Sequence, residues 1–317
     1  MIDTVDYHTA GEPFRIVVGG VEPPRGRTIL ECRRDAADRL DDVRKLLVNE
    51  PRGHADMYGC FVVEPNDDDA DLGVVFFHNA GYSTACGHGT IALVTWALDE
   101  GIVERREPET RVVVDVPSGR LETVARVEDG KVRSVRFRNV PSFVWAEGLR
   151  AGGREVDVAF GGAFYASCEE RVEPAELPRL IELGRAIKRD LEAEHEIVHP
   201  LEPELRDVYG VIFWQNEGRN TQRNVAVFAD GEVDRSPCGS GTSARLALLD
   251  GRRLPRGKEL RHLGIVGTEF RGRVIGDSEV AGWPAVITEV EGSAYRTGRA
   301  TFELDPEDPL GTGFLLR

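Results

Sequence analysis

Two short stretches of the chain share the pattern Cys-Gly-x-Gly-Thr, at residues 86–90 and 238–242. A cysteine at the start of a helix lies at the positive end of the helix dipole. That position stabilises the thiolate and lowers the thiol pKa below its free value of about 8.5. The glycines allow a tight turn and leave backbone N–H groups open to an anion such as a carboxylate. The pattern therefore predicts thiolate chemistry at Cys86 and Cys238.

The duplication indicates what the two thiols can do together. If two such helix ends face each other across a cleft, both sets of amides can bind one small carboxylic acid with a sulfur on each face. Such a site can take a proton from one side of a carbon and return one to the other. A buried cysteine is more often an inert small hydrophobe, and two cysteines can also form a disulfide or half of a metal site. We expect that structural role for Cys32, Cys60 and Cys168, which lack the repeated context.

The elements around each cysteine loop have the same order in the two halves of the chain. Each half is predicted to contain strands, a long helix, a strand, the cysteine loop, a short helix and further strands. A strand followed by a tight turn and a helix is where α/β proteins bind ligands. Hydrophobic periodicity predicts one long helix over residues 35–48 and another over 175–194. The helices after the loops are predicted at residues 91–100 and 243–249.

Composition excludes several classes of function. The 317 residues suffice for two domains, and the net charge of -15 disfavours nucleic acid and anionic membranes as partners. No apolar run approaches the ~20 residues of a membrane span, and the start of the chain has no signal-peptide pattern. We therefore expect a cytoplasmic protein. The odd number of cysteines, five, without C-x-x-C pairs, argues against a disulfide framework and structural zinc.

Several stretches of the chain resemble the proline racemase family, which comprises proline racemases, hydroxyproline 2-epimerases and trans-3-hydroxyproline dehydratases. The matching stretches follow the family order and are residues 6–13, 51–54, 56–59, 81–83, 86–90 and 234–244. The resemblance implies an α/β (α+β) fold with two similar domains of the diaminopimelate epimerase type and the active site in the cleft between them. The first domain would comprise residues 1–147 plus 295–317, and the second 148–294. It further implies an imino-acid substrate, no cofactor, no metal and a possible homodimer.

The resemblance also implies roles for individual residues. Cys86 and Cys238 match the two cysteines that act as base and acid and exchange roles with the direction of reaction. The substrate-binding positions are the loop amides, two groups beside the sulfurs that contact the substrate amine, and two aromatic positions around the ring. In this chain they are Gly87, His88, Gly239 and Ser240 for the amides, His88 and Asp234 for the amine, and Tyr58 and Phe228 for the ring. Asp234 can equally be a turn residue or helix cap.

The choice among family activities depends on the second cysteine. The dehydratases typically carry Thr at the position of Cys238, so a cysteine there favours a racemase or epimerase that inverts Cα of proline or hydroxyproline. The loops at residues 54–58 and 78–83 look more like the dehydratase and proline racemase branches. Large rings at Tyr58 and Phe228 would narrow the pocket and exclude a 4-hydroxyl, although the Tyr58 hydroxyl could instead bind one. The alternatives are therefore a trans-3-hydroxyproline dehydratase and, ranked lower, a non-catalytic imino-acid binding protein or thiol redox protein.

Two residues depart from the family pattern. Ala10 stands where the family usually has Gly, and Ala85 stands where it usually has Met. Neither departure removes a functional group, so neither changes the expected chemistry. His8 and Glu12, in the same stretch as Ala10, can be chemical or can stabilise the turn before a strand.

Overall fold

The computed structural model describes residues 1–316 and has a mixed α/β fold, as the sequence predicts. The described residues form two compact units. The first unit is residues 1–135 with residues 293–316, and the second is Arg136–Gly292. No helix in this part of the chain is long and apolar enough to cross a bilayer.

Eighteen strands are present in the described residues. They are β1 (Ile2–Thr9), β2 (Glu12–Gly19), β3 (Tyr58–Val63), β4 (Leu72–His78), β5 (Gly81–Tyr82), β6 (Glu109–Val116), β7 (Gly119–Glu128), β8 (Lys131–Arg138), β9 (Phe143–Ala151), β10 (Arg154–Phe160), β11 (Phe164–Glu169), β12 (Val208–Gly218), β13 (Thr221–Phe228), β14 (Glu232–Asp234), β15 (Leu260–Leu263), β16 (Glu269–Val280), β17 (Trp283–Gly292) and β18 (Ala294–Phe302).

The α-helices of the described residues are α1 (Ile29–Arg39), α2 (Asp41–Val48), α3 (Gly87–Asp99), α4 (Leu177–Glu194) and α5 (Gly239–Leu249). Helices α3 and α5 are buried along almost their whole length, including their first turns. A helix that is buried on every side lies inside a core, because none of its faces meets water. The helices that carry the two cysteines are therefore the central elements of their units.

The strand orders of the two units correspond over seven strands, and the second unit continues with one more, β17. In the first unit it is β18, β1, β2, β3, β4, β6, β7, with parallel pairs at β2/β3 and β4/β6. In the second unit it is β9, β10, β11, β12, β13, β15, β16, β17, with parallel pairs at β11/β12 and β13/β15. Each parallel step is made through a helical connection, as parallel pairing requires. The predicted repetition of the two halves is confirmed at the level of topology.

The predicted long helix over residues 35–48 is wrong as a single element. The chain forms α1 and α2, and Leu40 between them leaves the helical conformation at φ -115° and ψ 12°. Arg44 on α2 is buried and donates to the carbonyls of His78 at 2.7 Å and Asn79 at 2.5 Å. These buried bonds fix the direction of α2. Hydrophobic periodicity alone could not reveal the break between α1 and α2, because both helices bury apolar residues at the same spacing.

Strand β9 was not predicted. Its stretch contains Gly148 at φ 67° and is followed by Gly152 and Gly153, both also at positive φ. Glycine in these conformations usually indicates a turn or a linker. Here Gly148 lies within a strand whose pairing with β10 is irregular, so the glycine accommodates a bulge.

Candidate active site

Cys86 is the N-cap residue of α3, and its sulfur accepts the backbone N–H of Gly89 at 3.2 Å. The second glycine of the motif is required by space. A Cβ on Gly89 would lie 2.7 Å from the Cys86 sulfur and 2.5 Å from the ring of Phe14. Any side chain at this position would displace the thiol from the helix start.

Cys238 is the N-cap residue of α5, and the second glycine of its motif is also required by space. A Cβ on Gly241 would lie 2.9 Å from the Cys238 sulfur and 2.5 Å from Ile212. The backbone differs, however, because Cys238 has φ 61° and ψ 104° whereas Cys86 has φ -151° and ψ 99°. A left-handed conformation of a residue with a side chain costs about 1–3 kcal/mol and is most common at functional sites.

His88 contacts the Cys86 thiol. Its Nε2 and Nδ1 lie 3.4 Å and 3.6 Å from the Cys86 sulfur. The ring packs edge-on against Tyr58 and Phe14, with centroids 4.9 Å and 5.8 Å away. Burial lowers the pKa of His88 to about 3, so the imidazole is neutral at physiological pH. A neutral imidazole can accept a hydrogen bond from a thiol or donate one to a thiolate.

The backbone around His88 is held by the first hairpin of the chain. Thr9 donates its hydroxyl to the His88 carbonyl at 2.8 Å. His8 accepts the Gly11 N–H on its Nδ1 at 3.2 Å, which is the turn-stabilising role considered for it. The hairpin at residues 6–13 is therefore hydrogen-bonded to the first turn of α3 through Thr9.

Tyr58 lies beside His88 in the first unit. Its hydroxyl donates to Ser83, and its ring lies 5.3 Å from that of His78 as well as against His88. His78 is the last residue of β4, Ser83 lies in the loop that leads to Cys86, and all three side chains are buried. This arrangement gives Tyr58 a fixed orientation beside the imidazole.

Asp234 lies beside the Cys238 thiol. Its Oδ1 accepts the backbone N–H of Ser236 at 2.8 Å, and the Cys238 thiol forms a hydrogen bond with the carboxyl group. Burial raises the pKa of Asp234 to about 6. The side chain is therefore a turn residue and a neighbour of the sulfur at the same time.

The prediction of a lowered thiol pKa is wrong for Cys238. Burial, followed by the charge of Asp234, raises the pKa of this thiol above its usual range. The Tyr165 hydroxyl, the Gly241 N–H and the Ser240 hydroxyl lower the pKa of this thiol, but they do not outweigh the loss of water. Sequence reasoning considered the helix dipole and omitted the desolvation of a thiol that is only 6% exposed. Cys238 is therefore a protonated thiol in the resting protein.

A row of aromatic rings extends from Cys238 to Phe228. The thiol lies 3.6 Å from the hydroxyl of Tyr165, whose ring packs edge-on against Tyr209 at 5.8 Å. Tyr209 in turn stacks on Phe228 at 5.5 Å. Tyr165 and Tyr209 were missed in the sequence, where the only signal was a tyrosine near the apolar start of each of two strands.

The first turns of α3 and α5 provide backbone donors. In α3 the first intrahelical bond runs from the Thr90 N–H to the Cys86 carbonyl at 2.9 Å. In α5 it runs from the Thr242 N–H to the Cys238 carbonyl at 2.8 Å. Amides earlier than these have no acceptor within the helix and lie at its positive end. Neither first turn contains an acidic side chain. The amides predicted to bind a carboxylate are of this kind: Gly87, His88, Gly239 and Ser240.

The other cysteines are buried and apart from these loops. Burial raises the pKa of Cys32, Cys60 and Cys168, which fits their expected structural role. All five cysteines are free thiols. No group of three His, Cys, Asp or Glu side chains within residues 1–316 is placed to hold a metal ion.

Comparison with known proteins gives a consistent result. The proline racemase family model matches residues 4–315. A 3-hydroxyproline 2-epimerase of Burkholderia multivorans is 45% identical over 329 residues, covering 100% of this chain and 98% of the relative. A trans-3-hydroxy-L-proline dehydratase of Azospirillum brasilense is 45% identical over 330 residues, with the same coverage. The crystal structure of a hydroxyproline epimerase from Agrobacterium vitis with bound trans-4-hydroxy-L-proline has 31% identity and a TM-score of 0.91, covering 99% and 95% of the two chains.

Proposed function

The chain belongs to the proline racemase family, and from this premise we propose that it inverts Cα of a hydroxyproline without an organic cofactor, with Cys86 and Cys238 as the two bases. The observation that supports this most directly is the pair of equivalent loops. Each places a thiol at the first turn of a buried helix, and in each a glycine is required because a Cβ would collide with the sulfur.

In the proposed reaction one cysteine removes the Cα proton and the other delivers a proton to the opposite face. The roles are exchanged for the other epimer, so each thiol must act in both protonation states. Cys86 as a thiolate would be stabilised by the Gly89 N–H and the neutral His88 ring. Cys238, which burial and Asp234 keep protonated, is the proton donor in this direction. In this direction Cys86 takes one proton from Cα, and Cys238 gives one proton to the opposite face of the same carbon.

The difficult part of the reaction is the weak acidity of a Cα–H next to a carboxylate. Charge that develops on this carboxylate in the transition state needs fixed donors in a site that excludes water. The first-turn amides of α3 and α5 are such donors, and both cysteine residues are only 6% exposed. In the proposal these amides bind the carboxylate while the thiols act on the carbon.

For the substrate we propose 3-hydroxyproline first. Two relatives at 45% identity are named for acting on this ring, whereas the residues alone leave proline, 4-hydroxyproline and 3-hydroxyproline open. The buried Tyr58, His78 and Ser83 add polar groups to the Cys86 half of the site, and these suit a hydroxylated ring better than plain proline.

The second candidate is dehydration of trans-3-hydroxy-L-proline. Cys86 would remove the Cα proton, and the 3-hydroxyl would leave as water with a proton from Cys238. A relative at the same identity carries the dehydratase name. The raised pKa of Cys238 also supports this reading, because a protonated thiol suits a leaving hydroxide. The two candidates therefore differ in where the Cys238 proton goes.

Proton NMR in D2O distinguishes the candidates. Purified protein is incubated separately with L-proline, trans-4-hydroxy-L-proline and trans-3-hydroxy-L-proline. Epimerisation gives loss of the Cα–H signal and signals of the other epimer, whereas dehydration gives pyrroline signals from the 3-hydroxy compound alone. Cys86→Ser and Cys238→Ser are both expected to abolish epimerisation, and Cys168→Ala is the matched control. An epimerase that retains most activity in either serine variant would refute the two-cysteine assignment.

A further inference from the structure

The hydroxyl of Tyr165 lies between two groups of the Cys238 loop. It is 3.6 Å from the Cys238 sulfur and 2.8 Å from the Ser240 hydroxyl. Tyr165 is 1% exposed, and the other two side chains are nearly as buried. A buried hydroxyl has no water to bind. Its hydrogen bonds to the sulfur and the serine therefore determine its orientation.

The position of the tyrosine ring is fixed by its strand. Tyr165 lies in β11, where it pairs with Ala159 of β10 on one side and with Gly210 of β12 on the other. Its ring packs edge-on against Tyr209. A side chain held in the middle of a sheet and against a second ring cannot move its hydroxyl far. The hydroxyl proton, by contrast, can turn about the C–O bond between its two orientations in the plane of the ring.

That rotation allows two arrangements of the hydrogen bonds. When Cys238 is a thiol, its S–H can donate to the tyrosine oxygen while the tyrosine donates to Ser240. When Cys238 is a thiolate, the tyrosine O–H turns to the sulfur, and the Ser240 hydroxyl donates to the tyrosine oxygen. Both arrangements satisfy each hydroxyl, because tyrosine and serine can each donate once and accept.

We propose that Tyr165 is a positioning residue for Cys238, and that its hydroxyl, backed by Ser240, reverses its hydrogen bond as Cys238 alternates between thiol and thiolate. This inference rests on the proposed function, because a two-base reaction is what requires Cys238 to be stable in both states. It also assigns a purpose to a tyrosine at this place, where phenylalanine would fill the same space.

The local charges explain why such a donor is needed. The Asp234 carboxyl beside the sulfur disfavours the thiolate, and burial disfavours it further. Cys86 has His88 next to it, a neutral ring that can donate to its thiolate. Cys238 has an acidic group in the corresponding place. Tyr165 supplies to Cys238 the neutral donor that His88 supplies to Cys86.

The test is the pH dependence of alkylation at Cys238 in the full-length protein. Iodoacetamide is applied from pH 7 to pH 10, and the Cys238 peptide is quantified by mass spectrometry. Tyr165→Phe is expected to displace the rate profile to higher pH by about one to two units, because a donor to a charged group is lost. Tyr7→Phe removes another fully buried tyrosine hydroxyl, one bonded to Asp99, and is expected to leave the Cys238 profile unchanged.

Ser240→Ala provides a second variant that leaves the tyrosine ring in place. It is expected to displace the profile in the same direction by a smaller amount. If epimerisation is observed, Tyr165→Phe should lower kcat at least tenfold and change KM less than threefold. An alkylation profile that does not move in Tyr165→Phe would overturn the inference. A displaced profile in a protein that neither epimerises nor dehydrates any of the three imino acids would leave the contact intact and refute the proposed function instead.

Discussion

Nε2 of His88 lies 3.4 Å from the sulfur of Cys86, and burial keeps this imidazole neutral. A charged imidazolium would hold the thiolate in a fixed ion pair, whereas a neutral ring can exchange donor and acceptor roles with the sulfur. This relationship suits a cysteine that must give and take a proton in turn.

His88→Asn should therefore impair catalysis more than folding. We expect kcat for the imino-acid reaction to fall about 100-fold, the usual size of a lost acid–base partner, with the circular dichroism spectrum unchanged. Steady-state kinetics at pH 8 measures the effect. His195→Asn, at a histidine outside both cysteine loops, is the control and should retain activity. Equal losses in the two variants would contradict the role given to His88.

The second glycine of each motif should not tolerate alanine. In Gly89→Ala and Gly241→Ala the new methyl group would meet the cysteine sulfur of the same loop and a second side chain below 3 Å. We expect at least a 100-fold loss of activity in each, because displacements of about 1 Å from reactive geometry have effects of this size. Gly276→Ala is the matched control, since a Cβ there meets nothing within 4 Å. Nearly normal turnover by Gly89→Ala would show that the sulfur need not lie where the structure has it.

Stability should fall on acidification through buried histidines. Burial lowers the pKa of both His88 and His262 to about 3 from 6.5. Their contribution to stability is therefore complete above pH 6.5 and is lost as the pH falls, because the unfolded chain binds the protons first. Asp234, with its pKa raised to about 6, acts in the opposite direction and loses its contribution as the pH rises through that value.

Urea unfolding at pH values from 7.5 to 5 measures this dependence. His262→Gln removes one buried histidine and should reduce the slope of unfolding free energy against pH by about 1.4 kcal/mol per pH unit. The exposed His54 offers a control, and His54→Gln should leave the slope as in the wild type. An unchanged slope in His262→Gln would mean that this ring is protonated in the folded state.

The hairpin residue Ala10 should be replaceable by glycine with a gain in stability. Ala10 has φ 51° and is followed by Gly11 at φ 97°, so both turn residues adopt left-handed conformations. Ala10→Gly relieves the strain on a residue with a Cβ, and we expect about 1 kcal/mol of stabilisation. Ala281, at φ 50° before Gly282, gives a matched second test in another hairpin. A loss of stability in both glycine variants, measured by urea unfolding, would show that neither turn is strained.

The sequence indicates the cysteine loops well, because the repeated motif and the apolar helices after it are local features. It does not reveal that Cys238 has a left-handed backbone and Cys86 does not, since both loops have the same residue types at the motif positions. The residues just before the two cysteines differ, and in the second loop the Cys238 N–H donates to the Ser236 hydroxyl at 3.1 Å.

Contacts between distant residues explain the rest of what was missed. Tyr165 is 73 residues from Cys238 along the chain, and only the pairing of β11 with its neighbours brings it to the sulfur. Arg44 of α2 likewise reaches buried acceptors that lie more than thirty residues away along the chain. Neither contact leaves a periodic signal in the sequence.

The most direct test of the two-base reaction is the early fate of deuterium in D2O. The protein is incubated with trans-3-hydroxy-L-proline, the epimers are separated on a chiral column at less than 10% conversion, and each is analysed by mass spectrometry. Two cysteines acting from opposite faces predict deuterium at Cα of the product epimer and almost none in the remaining substrate. Deuterium in the remaining substrate at a rate equal to that of product formation would show that one base serves both steps, and would contradict the assignment of Cys86 and Cys238.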